Sequence, residues 1–376
     1  MIGIAAPVLL ALTLSFSLQA SAAHPLGASN ADGVGNFEQL AEAARHAQAE
    51  NRNDAAIHLY QQALKLKPDW DEGLWYLGTL LYEKDDDRAA CQALRQFVAL
   101  DPKAGYGWAL LGMSEFQLRE YTRALDHLQQ SLVIGLGDNR KMAVKVYYLT
   151  AILLARSEQF DESMNLLFSL SASGDPTPPL VEPLGLAALR MPFLPTEIPA
   201  DRRAMVRLAG AAAIALKAQR YAEAEKLFGE LETEYPNQPG VHFLIGAYLL
   251  GARPDDGIKE MKQEIEVSPS HVPARIRLAE EYLKRQDMEL ATSFAQEALK
   301  LAPDDPLAHL VLGETLVAKG EMTRGILQLE TARDHSPETV RIHWDLIRAY
   351  TAAGRDQDVR REKSEIERLN NQNAVH

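Results

Sequence analysis

The sequence is poor in the groups that chemistry and covalent crosslinking use. Cys91 is the single cysteine among 376 residues, so no disulfide can close within the chain and packing alone must hold it. Cys91 falls at a packed helical position and reads as a buried thiol rather than a reactive one. There is no H-E-x-x-H, G-x-G-x-x-G, phosphate loop, G-x-S-x-G or C-x-x-C, and the ten histidines never recur at i, i+3 or i+4. Those patterns are the usual frames for metals, nucleotides and nucleophiles. No catalytic residue, metal ligand or cofactor is therefore assigned, and the chain is read as a non-enzyme. Positive charge is also scarce: 39 Lys and Arg stand against 52 Asp and Glu, a net charge of −13. Without a basic cluster to displace counterions, nucleic acid is not an expected partner.

Charge is missing altogether from residues 1–23, where Ile2 to Leu18 is apolar apart from Thr13, Ser15 and Ser17, and Ala20-Ser21-Ala22-Ala23 follows. An apolar core before small residues is the pattern of a secretory signal peptide. The chain is expected to be exported, to a periplasm or the exterior, with an uncleaved membrane anchor as the alternative because no basic residue precedes the apolar core. No cysteine near the cut allows a lipid anchor, and no later segment has the roughly 18 uninterrupted apolar residues of a membrane span. Residues 24–36, with three glycines and no apolar period, read as a flexible linker.

What the sequence does have is a repeat. Pro68 and Pro102 are 34 apart, Ala56, Ala90 and Ala124 keep that step, and so do Gly78 and Gly112. Later, Pro236, Pro269, Pro303 and Pro337 are spaced 33, 34 and 34, while Gly246, Ala279 and Gly313 hold one small-residue position. A period of this length marks a stacked-repeat architecture. Trp108, Leu111, Gly112, Ala124 and Leu128 give the pattern most fully. Leu74, Leu77, Gly78, Ala90, Leu94 and Pro102 give a second copy, and Ala56, Tyr60, Ala63 and Pro68, then Ala224, Phe228 and Pro236, give partial ones. This pattern resembles the tetratricopeptide repeat, as found in secreted or envelope proteins of bacteria. The small residues let the first helix of each pair approach the second, and the proline, with no N–H to give, ends each unit. About nine units begin near 37, 71, 105, 144, 205, 239, 272, 306 and 340. The fold expected is all-α, an α-solenoid of helix-turn-helix units that the resemblance makes a right-handed superhelix with a concave face.

Residues 37–175 form an N-terminal block of about four units and 205–370 a C-terminal block of about five, with a tail at 371–376. Between the blocks, Pro176, Pro178, Pro179, Pro183, Pro192, Pro195 and Pro199 exclude a regular hairpin from residues 176–204. This insert is either a linker or, because Leu184 to Leu194 is apolar but for Arg190, a segment that fills a groove of the array. In the last unit Val359 replaces the small residue, and Glu362, Lys363, Glu365, Glu367 and Arg368 suggest a solvated terminal cap. Asp85-Asp86-Asp87 and Asp255-Asp256 lie at inter-helix turns and read as hydrated caps rather than calcium sites.

The units fill the chain and leave no room for a catalytic domain. In tetratricopeptide proteins partners bind the concave face, which positions 2, 5, 9, 12 and 13 of each first helix line. The resemblance thus implies a protein or peptide partner. It places Trp75, Tyr82, Tyr106, Met113, Phe116, Tyr148 and Ile152 on an aromatic and apolar strip suited to an extended peptide or a helix. A second, polar candidate comprises Glu280, Lys284, Glu314, Arg341, Trp344 and Arg348. The function expected is a non-enzymatic scaffold. The alternatives are an architectural subunit of an envelope complex whose groove is filled by its own insert, and a recruiting module for a separately encoded enzyme.

Overall fold

The computed structural model describes residues 31–172 and 179–373. The expected leader at residues 1–23 lies outside the described residues, as do 24–30 and 374–376 of the expected linker and tail. All described regular structure is helical: nineteen α-helices and one 3-10 turn, with no strand among the described residues. The helices are α1 (Ala31–Ala49), α2 (Asn53–Leu66), α3 (Asp71–Glu83), α4 (Asp87–Leu100), α5 (Gly105–Gln117), α6 (Tyr121–Ile134), α7 (Arg140–Arg156), α8 (Phe160–Ala172), α9 (Val181–Ala188) and α10 (Arg203–Lys217). They continue with α11 (Tyr221–Glu234), α12 (Val241–Ala252), α13 (Pro254–Val267), α14 (Val272–Lys284), α15 (Met288–Leu301), α16 (Pro306–Ala318), α17 (Met322–His335), α18 (Val340–Ala352) and α19 (Asp356–Asn373). This is the expected all-α array of helix hairpins. Two ends differ from expectation: residues 31–36 are the first turns of α1 rather than linker, and α19 runs to Asn373 through the expected tail.

The chain divides into two compact units, residues 1–73 and 74–376. In the first, α1 and α2 pair around Trp70, whose ring meets Phe37 edge-on at 5.2 Å and Tyr60 at 5.6 Å. Arg45 of α1 lies over the same ring and grips Glu72 with two hydrogen bonds, of 2.9 and 2.7 Å.

In the second unit the small residues do what their spacing suggests. A Cβ at Gly78 would meet the Leu94 side chain at 2.7 Å, one at Gly112 would meet Leu128 at 2.8 Å, and one at Gly313 would meet Leu329 at 2.7 Å. Each glycine of a first helix thus receives the leucine sixteen residues further on, in the second. Successive hairpins are joined by a contact that the periodicity does not reveal. The carbonyls of Pro102, Pro236, Pro303 and Pro337 each accept a hydrogen bond from an aromatic ring N–H six residues later: Trp108 Nε1 at 3.0 Å, His242 and His309 Nε2 at 2.8 Å, and His343 Nε2 at 2.7 Å. Each of these carbonyls, one residue past a helix C-cap, is thereby satisfied by the next helix.

Much of the Pro-rich insert is packed against the array rather than free. Its α9 packs against α7, α8 and α10, with Leu184, Leu186, Ala187 and Leu189 buried. Pro183 sits in the first turn of α9, where its missing N–H costs nothing, and Pro195 opens the 3-10 turn. Gly185 and Gly210 let the backbones of α9 and α10 touch: a Cβ on either would lie 1.8 Å from a carbonyl oxygen of the other helix. The end of the insert then abuts α12. Gly240, at φ 87°, has Leu189 O within 2.3 Å of where a Cβ would be. Arg190 lies over Phe160 and, at 4.8 Å, over Phe243, which packs on His271.

At that junction His271 Nδ1 accepts the amide of Ala274 and so caps α14, which leaves the proton on Nε2. The buried carboxylate of Glu264 accepts the amides of Gly240 and Phe243, and burial nevertheless pushes its pKa up. Burial, with the charges of Arg190 and Arg275, lowers His271 to about 4. Unfolding restores its ordinary value near 6.5, so the stability it contributes is complete above that pH and is lost as pH falls toward 4. Glu264 acts in the opposite sense, so the histidine is isolated by comparing variants. His271→Asn keeps a capping acceptor and takes no proton. Between about pH 7 and pH 5 the wild type is expected to lose up to about 2 kcal/mol more unfolding free energy than this variant, read by denaturant titration. Equal losses would show that His271 is not held neutral.

Candidate binding surface

The expected aromatic strip rests on α3, α5 and α7. Tyr106 lies between Gly105 and Gly107, and the bare backbone at these glycines is what allows close neighbours. A Cβ at Gly107 would meet the Phe97 ring at 2.5 Å, and one at Gly105 would strike Gly135 O at 2.0 Å. Phe97 therefore slides under the start of α5. Trp75, Phe97 and Tyr106 form one cluster, with Trp75 edge-on to Tyr106 at 4.7 Å and Phe97 within 5.8 Å of both rings. Tyr106 remains 40% exposed, while Phe97 is buried and Trp75 half-buried.

The other residues of the strip separate into surface and core. Tyr82 is half-buried, and Lys145 of α7 reaches across α5 to it, donating to its hydroxyl with the ammonium 4.9 Å from the ring centroid. First helices two hairpins apart thus meet through their side chains on this side. Phe116 is half-buried against Tyr121, itself covered by Arg156. Tyr148 packs beside Leu167 and Leu184, and burial raises its phenol pKa.

Met113 and Ile152 are corrections. They are only 3% and 5% exposed and offer a partner almost nothing. The cause is that the middles of α5 and α7 are covered all round: Ala109 to Glu115 and Leu149 to Ala155 are continuously buried. Such stretches have no solvated face from which an outward direction could be read.

The residues of the polar candidate lie on α14, α16 and α18, and ion pairs join part of them. Arg341 bridges Glu280 at 2.9 Å and Glu314 at 3.0 Å. Burial lowers the Arg341 pKa, but the two carboxylates outweigh it and hold the guanidinium charged. Arg348 pairs with Asp345, Lys284 reaches Glu281 at 3.5 Å, and Trp344 is 49% exposed. The expected terminal cap is only partly solvated. Glu362 is buried and takes His343 Nδ1 at 2.7 Å and Arg333 at 3.1 Å.

Cys91 is buried, and desolvation pushes its thiol up to about 12, far from a thiolate at neutral pH. Glu115 is buried too, but hydrogen bonds from His127 and Arg95 outweigh the burial and keep its pKa low. Among the described residues no group of three or more His, Cys, Asp or Glu could hold a metal ion. Asp86 caps α4 through the amide of Ala89. Among the described residues, no helix is long and apolar enough to cross a membrane.

If this division of surface from core is right, Tyr106→Ala should leave folding stability within about 1 kcal/mol of wild type, whereas Met113→Ala should cost about 2–5 kcal/mol. Thermal or denaturant unfolding of the two variants compares them directly, and an equal cost would place Tyr106 in the core.

Comparison with known proteins gives the following. The tetratricopeptide repeat profile matches residues 41–102 and 77–140, and the profile of the ChAPs (Chs5p-Arf1p-binding proteins) matches residues 208–340. No curated protein matches the chain. Among solved structures, a tetratricopeptide repeat protein from Parabacteroides merdae is similar at 13% identity and TM-score 0.34, covering 83% of this chain and 98% of its own. A MamA protein from Desulfovibrio magneticus is similar at 19% identity and TM-score 0.38, covering 45% of this chain and 94% of its own. The hairpins and the profile match agree on a tetratricopeptide-type repeat array. Folds of this kind are typically non-catalytic scaffolds for protein–protein interaction.

Proposed function

We propose that the protein is an exported, non-enzymatic scaffold that holds an extended peptide or a helix of another polypeptide against the first-helix surface of α3, α5 and α7. One observation carries the reading. Tyr106 is a large, 40% exposed aromatic braced by Trp75 and Phe97, in an otherwise acidic protein. A ring held in place in advance gives contact area at little entropic cost, which is the character of an interface anchor. Export is drawn from the uncharged apolar stretch of residues 1–23 and its small-residue end.

An architectural subunit with a self-filled groove is the second reading, and it too has an observation in its favour. The insert helix α9 lies against α7, and Leu184 packs with Ala151 and Leu167 beside Tyr148. One end of the strip is thereby occupied from within. It leaves the Trp75–Tyr106 end to other contacts, so the scaffold reading is preferred.

A photo-reactive residue at position 106, activated in the native compartment, tests this choice. A foreign polypeptide is expected to attach there and not to the same residue placed at Leu327, an exposed position on α17. Attachment only to residues 181–204 of the same chain would favour the self-filled, architectural subunit.

A further inference from the structure

Resting on the reading of α3, α5 and α7 as a polypeptide-binding surface, we propose that its Tyr82 corner takes a lysine or arginine side chain of a basic partner segment, and that Lys145 fills this corner until the partner displaces it.

Tyr82 lies in the last turn of α3, directly before the turn that carries Asp85, Asp86 and Asp87 into α4. A cation already sits on it. The Lys145 ammonium donates to the phenol oxygen and stands 4.9 Å from the ring centroid, at the hydroxyl end of the ring. Lys145 has a phenol hydroxyl as its hydrogen-bond partner, and among the described residues it has no carboxylate within ion-pair distance. It is placed there by its own helix, α7, two hairpins further on, and it is the element that a competitor can replace.

The surroundings suit a cation better than one lysine satisfies them. Asp86 is engaged as the cap of α4. Asp87 is not so engaged: its Oδ1 is buried without a hydrogen-bond partner among the described residues. Burial raises the pKa of Asp87, and the charges of Asp85 and Asp86 raise it further, while Lys145 pulls it the other way. The neighbouring carboxylates of the Asp85–Asp87 turn and the phenol oxygen of Tyr82 favour an incoming ammonium or guanidinium, which brings several N–H donors at once. The chain as a whole carries a charge of −13, so a basic segment is also drawn toward it at long range. A basic side chain at Tyr82, followed by an apolar or aromatic one at Tyr106, is the partner chemistry that this surface fits.

The test uses the full chain and two short fluorescein-labelled peptides, one alternating lysine with leucine and one alternating glutamate with leucine, read by fluorescence anisotropy at low salt. The lysine peptide is expected to bind saturably and the glutamate peptide not to bind. Lys145→Gln, which removes the internal competitor, is expected to tighten the lysine peptide about threefold to fivefold. Lys363→Gln, at an exposed position on α19, removes the same charge elsewhere and is expected to leave the affinity unchanged. Equal effects of the two substitutions would overturn the proposal, since only general electrostatics would then be at work. Binding of the glutamate peptide as tightly as the lysine peptide would overturn it as well. Should a foreign polypeptide attach at position 106 while Lys145→Gln changes nothing, the cation corner falls and the binding surface stands. If neither peptide nor any polypeptide attaches at position 106, both fall together.

Discussion

The close approach of one helix to the next at a residue with little or no side chain is the constraint on which the second unit depends. At Gly78, Gly112 and Gly313 it lets a leucine of the second helix seat against the bare backbone of the first. Between α9 and α10 it goes further, to backbone against backbone at Gly185 and Gly210. Because interiors are packed at the density of organic crystals, a methyl group at such a point has nowhere to go. The hairpins built this way then register on one another through the proline carbonyls. Each of four prolines ends one unit and offers its oxygen to an aromatic N–H at the start of the next. The residue that stops a helix also positions its successor.

This geometry produces the candidate surface. The first helices α3, α5 and α7 are set so closely that Lys145 reaches Tyr82 across α5. Phe97 from a second helix can support Tyr106 only because Gly107 leaves it space. Farther along, α14, α16 and α18 present charges instead, with Arg341 tied to carboxylates on two neighbouring helices. One backbone arrangement therefore displays an aromatic surface at one end and a self-neutralised polar one at the other. The hairpin geometry is common to both, and the side chains at the exposed first-helix positions distinguish them.

Much of the fold could be read from spacing, because proline and the small residues act through simple sterics that recur with each unit. Other features could not. Seven prolines between 176 and 199 read as a break, yet a proline in the first turn, as at Pro183, is compatible with a helix. The apolar run from Leu184 to Leu194 was the better guide, since such a run must be buried somewhere. Met113 and Ile152 were misplaced because the middles of α5 and α7 are buried all round, so no solvated face there gives a phase from which to read inside and outside. Phe97 escaped notice as part of the surface because it reaches Tyr106 from a second helix, and Lys145 because charge, rather than aromatic character, marks its place on the strip. The pairing of proline with an aromatic six residues later crosses the boundary between units, where a search within each repeat does not look.

The account depends most on α9 being part of the packed array rather than a tether between two blocks. Hydrogen–deuterium exchange of the full chain, followed by peptide mass spectrometry, measures this directly, because amide protection reports the free energy of local opening. Residues 184–188 should exchange as slowly as the interior of α10, since the two helices can open only together. Rapid exchange there, with α10 still protected, would contradict the account and return the segment to a linker.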